Sequence, residues 1–300
     1  MLKQNSRNMW LLVGSLFTLY FVWGSTYLVI RIGVESWPPL MMAGLRYLIA
    51  GILLFSFLTI RGHTLPTLRQ WMGASAIGIL LLAIGNGLVT IAEHQHVPSG
   101  IAAVMVATVP LFTLCFSLLW GMRNTKLEWA GIALGLVGII LLNTGSNLLG
   151  NPMGAMLILL ASASWAFGSV WSSKLSLPNG PMSGAAQMLV AGVILLIGST
   201  LSGEELSQMP SMSGILSLLY LIVFGSMLAI SAYMFLLKNV RPAVATSYAY
   251  VNPVVAVLLG ISFAGESLST TEWCALAIIV SAVVLVTLGK FLFKRRETSV

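Results

Sequence analysis

Residues 152–202 read PMGAMLILLASASWAFGSVWSSKLSLPNGPMSGAAQMLVAGVILLIGSTLS, with Lys174 as the sole charged side chain in the stretch. Two apolar runs, 152–174 and 182–202, flank a short connection that carries Pro178, Asn179, Gly180 and Pro181. A helix needs about 20 apolar residues to cross the hydrocarbon core of a bilayer. Each run meets that length, and the connection is too short for anything but a hairpin. The stretch therefore predicts two consecutive membrane-spanning helices. The same ruler, moved outward, predicts ten: 9–30, 38–60, 70–92, 98–120, 127–143, 152–174, 182–202, 211–237, 242–263 and 271–292.

The composition agrees. Of 300 residues, 58% are hydrophobic and 8% charged, whereas soluble domains carry about 25% charged residues. So few charges cannot cover the surface of a water-soluble fold. A soluble enzyme, a secreted disulfide scaffold and a disordered tail are excluded, which leaves an all-α integral membrane protein. Lys3 and Arg7 precede the first run like a signal peptide. That run is longer than a signal h-region and no small-x-small site follows it, so a retained first span is expected. Cys115 and Cys274 lie in apolar runs with no Cys-x-x-Cys, and both are read as small core residues.

The net charge is +7, but no basic stripe marks a nucleic-acid surface, and no nucleic-acid partner is expected. The positive residues instead orient the spans. With a cytoplasmic N-terminus, 13 of the 15 Lys and Arg fall inside, including Arg61, Arg69, Arg123, Lys126, Lys174, Lys238, Arg241 and the C-terminal Lys290, Lys294, Arg295 and Arg296. Arg31 and Arg46 lie at a helix end and within a span. Glu35, Glu93, Glu204, Glu205, Glu266 and Glu272 fall outside. Both termini are expected in the cytoplasm of a bacterial cell, with the chain in the inner membrane.

An internal repeat runs through the chain. Leu127-Glu128-Trp129 opens the fifth span and Thr271-Glu272-Trp273 the tenth, an offset of 144 that also takes Pro98 to Pro242 and Gly145 to Gly289. Ala50-Gly51 pairs with Ala191-Gly192, Trp23 with Trp165, and Pro110 with Pro253. The units are 1–147 and 148–300. Each holds five spans, an odd number, so the second copy enters the membrane in the opposite sense. Inverted repeats of this kind are the geometric basis of alternating access.

Trp23-Gly24-Ser25-Thr26, Ala43-Gly44-Leu45-Arg46, Pro98-Ser99-Gly100 leading to Val109-Pro110, and Ala243 to Pro253 followed by Gly265-Glu266 stand in an order that resembles the drug/metabolite transporter superfamily, EamA type. The likeness covers nearly all of the chain as two five-helix EamA repeats. It implies a ten-helix carrier, often an exporter of amino acids or related metabolites. One departure stands out: where the second half has Gly265-Glu266, the first has Gly121-Met122.

The candidate substrate site starts from the prolines within spans. Pro110 and Pro253 each remove a backbone donor and crowd the carbonyl four residues back, at Val106 and Ala249. In lipid such freed groups survive only against protein or a water-lined cavity. Tyr248, Tyr250 and Asn252 accompany the second break, and Tyr248 and Asn252, four apart, share a helix face. Arg46 lies roughly 12 Å inside its span. A cation there normally faces the interior and is paired. Its candidate partners are Glu93, backbone carbonyls or a substrate carboxylate, which a guanidinium grips with two parallel bonds. Asn86, Trp23 and Trp165 complete the substrate set. Glu93 and His94 are candidates for an outer gate or for proton coupling. His94 and His96 point in different directions on a helix, so no metal site is expected.

Three classes compete. A membrane-embedded enzyme would need a catalytic constellation, but the chain has no Asp, no His-Glu-x-x-His and no Gly-x-Ser-x-Gly. A channel or receptor subunit has no need of mirrored, broken helices. A secondary or facilitative carrier of small metabolites accounts for both features. No cofactor is expected; the partners are a small-molecule substrate and the lipid bilayer.

Overall fold

The computed structural model describes residues 2–97, 99–122, 125–142, 152–255, 270–271, 273–275, 277–282 and 285, and among them the secondary structure is helical with no strand. Helix α1 is helical from Leu2, and its apolar part is Met9–Gly33; α2 is Pro39–Ile60 and α3 Leu68–His94. Three shorter helices follow: α4 Ser99–Val106, α5 Val109–Leu119 and α6 Lys126–Leu142. Then come α7 Pro152–Lys174, α8 Pro181–Leu201, α9 Met212–Asn239 and the short α10 Pro242–Ala245.

The sequence around each helix start explains where it begins. Pro39 and Pro181 open α2 and α8, where a missing N–H costs nothing because that donor has no intrahelical partner. Thr67 and Gln70 form a capping box at α3, Thr125 and Glu128 exchange the same pair of bonds at α6, and the Ser211 hydroxyl accepts from Gly214 N–H at α9. Each satisfies donors that a helix N-terminus leaves bare.

Among the described residues, six helices (α1, α2, α3, α7, α8 and α9) are long and apolar enough to cross a membrane. Their ends agree with the expected spans to within three residues. Of the other four expected spans, two are shorter or divided and two are only partly described. The span 98–120 is two helices separated by a turn at Ala107 and Thr108, and 127–143 is the 17-residue α6. The span 242–263 is described only to residue 255 and is interrupted at Thr246 and Ser247; 271–292 is represented by the helix Trp273–Ala282. Gly145, Gly265-Glu266, Glu272, Gly289, Arg123 and the basic C-terminal group lie outside the described residues.

Large apolar side chains such as Trp10, Leu68 and Leu201 cover the exterior, a surface that suits lipid and not water. Cys115 and Cys274 are exposed there, not buried as expected. A span that is apolar all round has no polar face to show which side packs inward.

Helices α2 and α8 cross at the centre of the main core. Gly44 faces Leu196, Leu48 faces Gly192 and Gly51 faces Leu189. Rising numbers on one helix meet falling numbers on the other, so the two run antiparallel. Glycine is required at the crossing: an added Cβ would lie 2.8 Å from Leu189 N at Gly51 and 2.5 Å from Leu48 N at Gly192. Gly51 to Gly192 and Leu48 to Leu189 are the same step along the chain, so shifting each residue to its counterpart exchanges the two contacts.

Candidate functional site

Three helices contain a π-helical segment, Leu19–Trp23 in α1, Ile79–Asn86 in α3 and Leu221–Leu228 in α9. The wider turn displaces carbonyls from the usual ladder, and such segments recur at functional sites. Here Trp23 and Asn86 line one interior cavity, and the α9 segment reaches it through Gly225 and Ser226, which bind the lining residues Trp23 and Arg46.

Gly225, in the α9 segment, supplies a carbonyl that accepts from Trp23 Nε1 at 3.1 Å and from Arg46 Nη2 at 3.0 Å. Arg46 Nε donates to Ser226 Oγ at 2.7 Å, and its Nη1 lies 3.4 Å from Asn86 Oδ1 at the end of the α3 segment. The guanidinium therefore joins π segments from both halves of the chain. It also lies over the Tyr47 ring, 4.8 Å from the centroid. Arg46 is 2% exposed.

Beside it stands an aromatic cage. Trp23 meets Trp165 edge-on at 5.4 Å and Tyr248 at 4.6 Å, with Tyr233 at 5.2 Å. Trp165 Nε1 donates to Tyr233 Oη at 3.0 Å, and the same hydroxyl lies 2.6 Å from Ser169 Oγ. These bonds satisfy the polar tips that aromatic side chains carry into a core. Tyr233 was missed in the sequence because nothing local separates it from its apolar neighbours. Its role comes from Trp165 and Ser169, more than sixty residues away.

The cavity, about 50 Å³, is lined by Trp23, Arg46, Asn86, Trp165, Tyr248 and Asn252 of the expected set, joined by Thr26, Tyr27, Tyr47 and Ser162. Buried polar atoms without a hydrogen bond point to this wall. Ser162 Oγ has none, and the Asn252 amide sits beside Tyr27 without meeting it in hydrogen-bonding geometry. Unpaired groups of this kind cost free energy.

Tyr250 does not line the cavity. It lies on the opposite side of its helix from Tyr248 and Asn252, and its ring covers Gly135 in a second, smaller core. Neither proline reaches the wall. Pro110 is the second residue of α5, where it starts a helix instead of kinking one; the turn just before it places Val106 and Val109 on the cavity. In the other half the break falls at Thr246 and Ser247, six residues before Pro253, which lies within a helical stretch over 248–255. Hydroxyls satisfy the carbonyls at both breaks, Thr108 to Met105, Thr246 to Pro242 and Ser247 to Val244. The sequence offered these hydroxyls, but prolines were the louder signal.

Glu93 and His94 face apart. Glu93 is fully buried, neither carboxylate oxygen has a hydrogen bond, and Arg31 is the charge that acts on it. Arg31 Nη1 donates to the Glu93 backbone carbonyl at 3.1 Å. His94 is exposed beside a basin of about 730 Å³ formed by the loops around Trp37 and Glu204. Among the described residues no cluster has the ligands for a metal.

Comparison with known proteins follows the same architecture. The model of the EamA-like transporter family matches twice, over residues 9–144 and 152–288. The chain is 67% identical over 282 residues to the uncharacterized inner membrane transporter YedA of Escherichia coli strain K12, covering 94% of this chain and 92% of that one. It is 26% identical over 295 residues to a probable amino-acid metabolite efflux pump of Salmonella typhimurium, covering 93% and 94%. A crystal structure with 22% identity has the same fold, with a TM-score of 0.75 over 91% of this chain and 96% of the other.

Proposed function

The chain belongs to the EamA-like transporter family, and from that premise we propose that it is a secondary or facilitative carrier of small metabolites, amino acids or related compounds, working by alternating access. Its ten spans form two inverted five-helix repeats, 1–147 and 148–300, with both termini cytoplasmic. The observation that carries this reading is the α2–α8 crossing. Antiparallel helices whose contacts exchange under the repeat step fit a two-fold axis in the membrane plane, which lets one half adopt the other's conformation. Trp23 and Trp165, counterparts in the repeat, touch each other, which supports an axis running through the cavity.

On this reading the conformation described is a closed one. Ligand pockets usually enclose about 300–1,000 Å³, and about 50 Å³ has room for only a few waters. Substrate enters when the halves rock apart around Trp23, Arg46, Asn86, Trp165, Tyr248 and Asn252. The turns at Ala107-Thr108 and Thr246-Ser247 mark the segments that bend, Glu93 and His94 serve an outer gate or coupling step, and Tyr250 holds the second-half helix against α6.

Thiol accessibility tests the reading. In a background with Cys115 and Cys274 replaced by Ser, Asn86→Cys and Thr26→Cys should react with membrane-impermeant reagents from both faces of oriented vesicles. Protection of both positions from both faces, under every condition, refutes alternating access.

A further inference from the structure

We infer that the site binds an organic monoanion, an aromatic or apolar body bearing a carboxylate or similar anionic group and no ammonium group. The inference rests on the transporter reading above and narrows its small metabolites to anions, setting zwitterionic amino acids aside. The starting observation is a census of charge. Arg46 is buried, and every acceptor it meets is neutral: Ser226 Oγ, Gly225 O and Asn86 Oδ1. Among the described residues no carboxylate acts on it. The acids that are not plainly exposed stand elsewhere. Glu93 is buried without a hydrogen bond to its carboxylate and does not line the cavity, Glu128 pairs with Arg241 at 3.1 Å, and Glu204 accepts from the first N–H groups of α2.

The cavity therefore carries one positive charge and no acid among its described lining residues. Its repeat counterpart adds none: Gln187 bonds to Ser183 and to Met234 sulfur, away from the cavity. A charge moved through a low-dielectric interior is costly unless paired. A monoanion makes the loaded site neutral. A zwitterion leaves it at one net positive charge, and its ammonium group must sit near Arg46 with no carboxylate to receive it. The Asn252 amide and Ser162 hydroxyl, buried and without hydrogen bonds, give the anion further polar contacts. Trp23, Trp165 and Tyr248 give the body its apolar surface.

Four probes with one phenyl body separate the charge states: 3-phenylpropionate, phenylalanine, phenethylamine and 3-phenylpropanamide. Binding is read by the tryptophan emission of the purified full chain, and flux in proteoliposomes. The expected result is 3-phenylpropionate ahead of phenylalanine by at least about tenfold in both, which is about 1.4 kcal/mol. Arg46→Gln should abolish that preference while keeping a cooperative melting transition in detergent, which shows that the variant is folded. Arg46→Lys should keep the preference at weaker affinity. Phenylalanine or phenethylamine ahead of the anion, or a preference unchanged in Arg46→Gln, overturns the inference and leaves the transporter reading in place. Arg46-dependent binding of the anion without flux of any probe overturns the transporter reading and leaves the anion site. Neither binding nor flux of any probe overturns both.

Discussion

The Gly225 carbonyl, within the α9 π segment, receives two side-chain donors, Trp23 Nε1 and Arg46 Nη2. A methyl group at this position would lie 3.0 Å from Arg46 Nη2 and 3.1 Å from Thr26 Cγ2. Gly225→Ala should therefore displace the guanidinium and lower flux about tenfold with little change in melting temperature, since misplacement by about an ångström is costly to function. Tyr233 offers a contrasting case. Its hydroxyl serves both Trp165 and Ser169, and Tyr233→Phe orphans a buried indole N–H. The expected loss is about 1–3 kcal/mol, measured by denaturation of the purified protein in detergent. Arg46 and Trp23 were legible as sequence, the first as a lone charge in a span and the second through its repeat partner. Tyr233 and Gly225 were not, because each matters only through residues far along the chain.

Among elements, the π segments of α3 and α9 are counterparts, Ile79–Asn86 and Leu221–Leu228. Nothing in their residue types marks them, because a π turn persists where tertiary contacts take up its displaced carbonyls. The glycines of the α2–α8 crossing were legible as a repeated Ala-Gly pair, though their purpose was not. Backbone atoms of the facing helix fill the space beside them and cannot yield as a flexible side chain would. Gly192→Ala should cost about 1–3 kcal/mol by overpacking and lower the melting temperature in detergent. Gly14→Ala is the control: nothing lies within 4 Å of an added Cβ there, so no loss is expected.

At the scale of the whole molecule the two faces are not equivalent. On the face expected to be outer, Glu204 in the second half accepts from Leu40 N–H at 3.0 Å and Met41 N–H at 2.8 Å in the first, while Ser199 Oγ donates to it at 2.7 Å. The carboxylate thereby fastens the loop after α8 to the start of α2, where the helix dipole favours negative charge. The counterpart position, one repeat step of 141 earlier, is His63, which is exposed and has no carboxylate to accept from the start of α8. Glu204 is thus a carboxylate contact between the halves that the counterpart position does not repeat. Glu204→Gln should weaken charge-assisted bonds by about 1–2 kcal/mol, which raises labelling of Asn86→Cys from the outer face roughly tenfold. An unchanged labelling rate would remove Glu204 from the gate.

The sequence alone determined that this chain is helical, built for lipid and doubled, because insertion depends on local runs of apolar residues and the repeat is written in matching dipeptides. It also picked out Arg46, since a charge within such a run is conspicuous. Only the tertiary structure decided which way side chains face along spans apolar on every side. It placed Tyr248 and Asn252 on the cavity and Tyr250 against Gly135, turned both cysteines outward, and moved the second helix break from Pro253 to Thr246 and Ser247. Those outcomes depend on which distant carbonyl, hydroxyl or glycine comes to lie opposite, and no local run of residues encodes that.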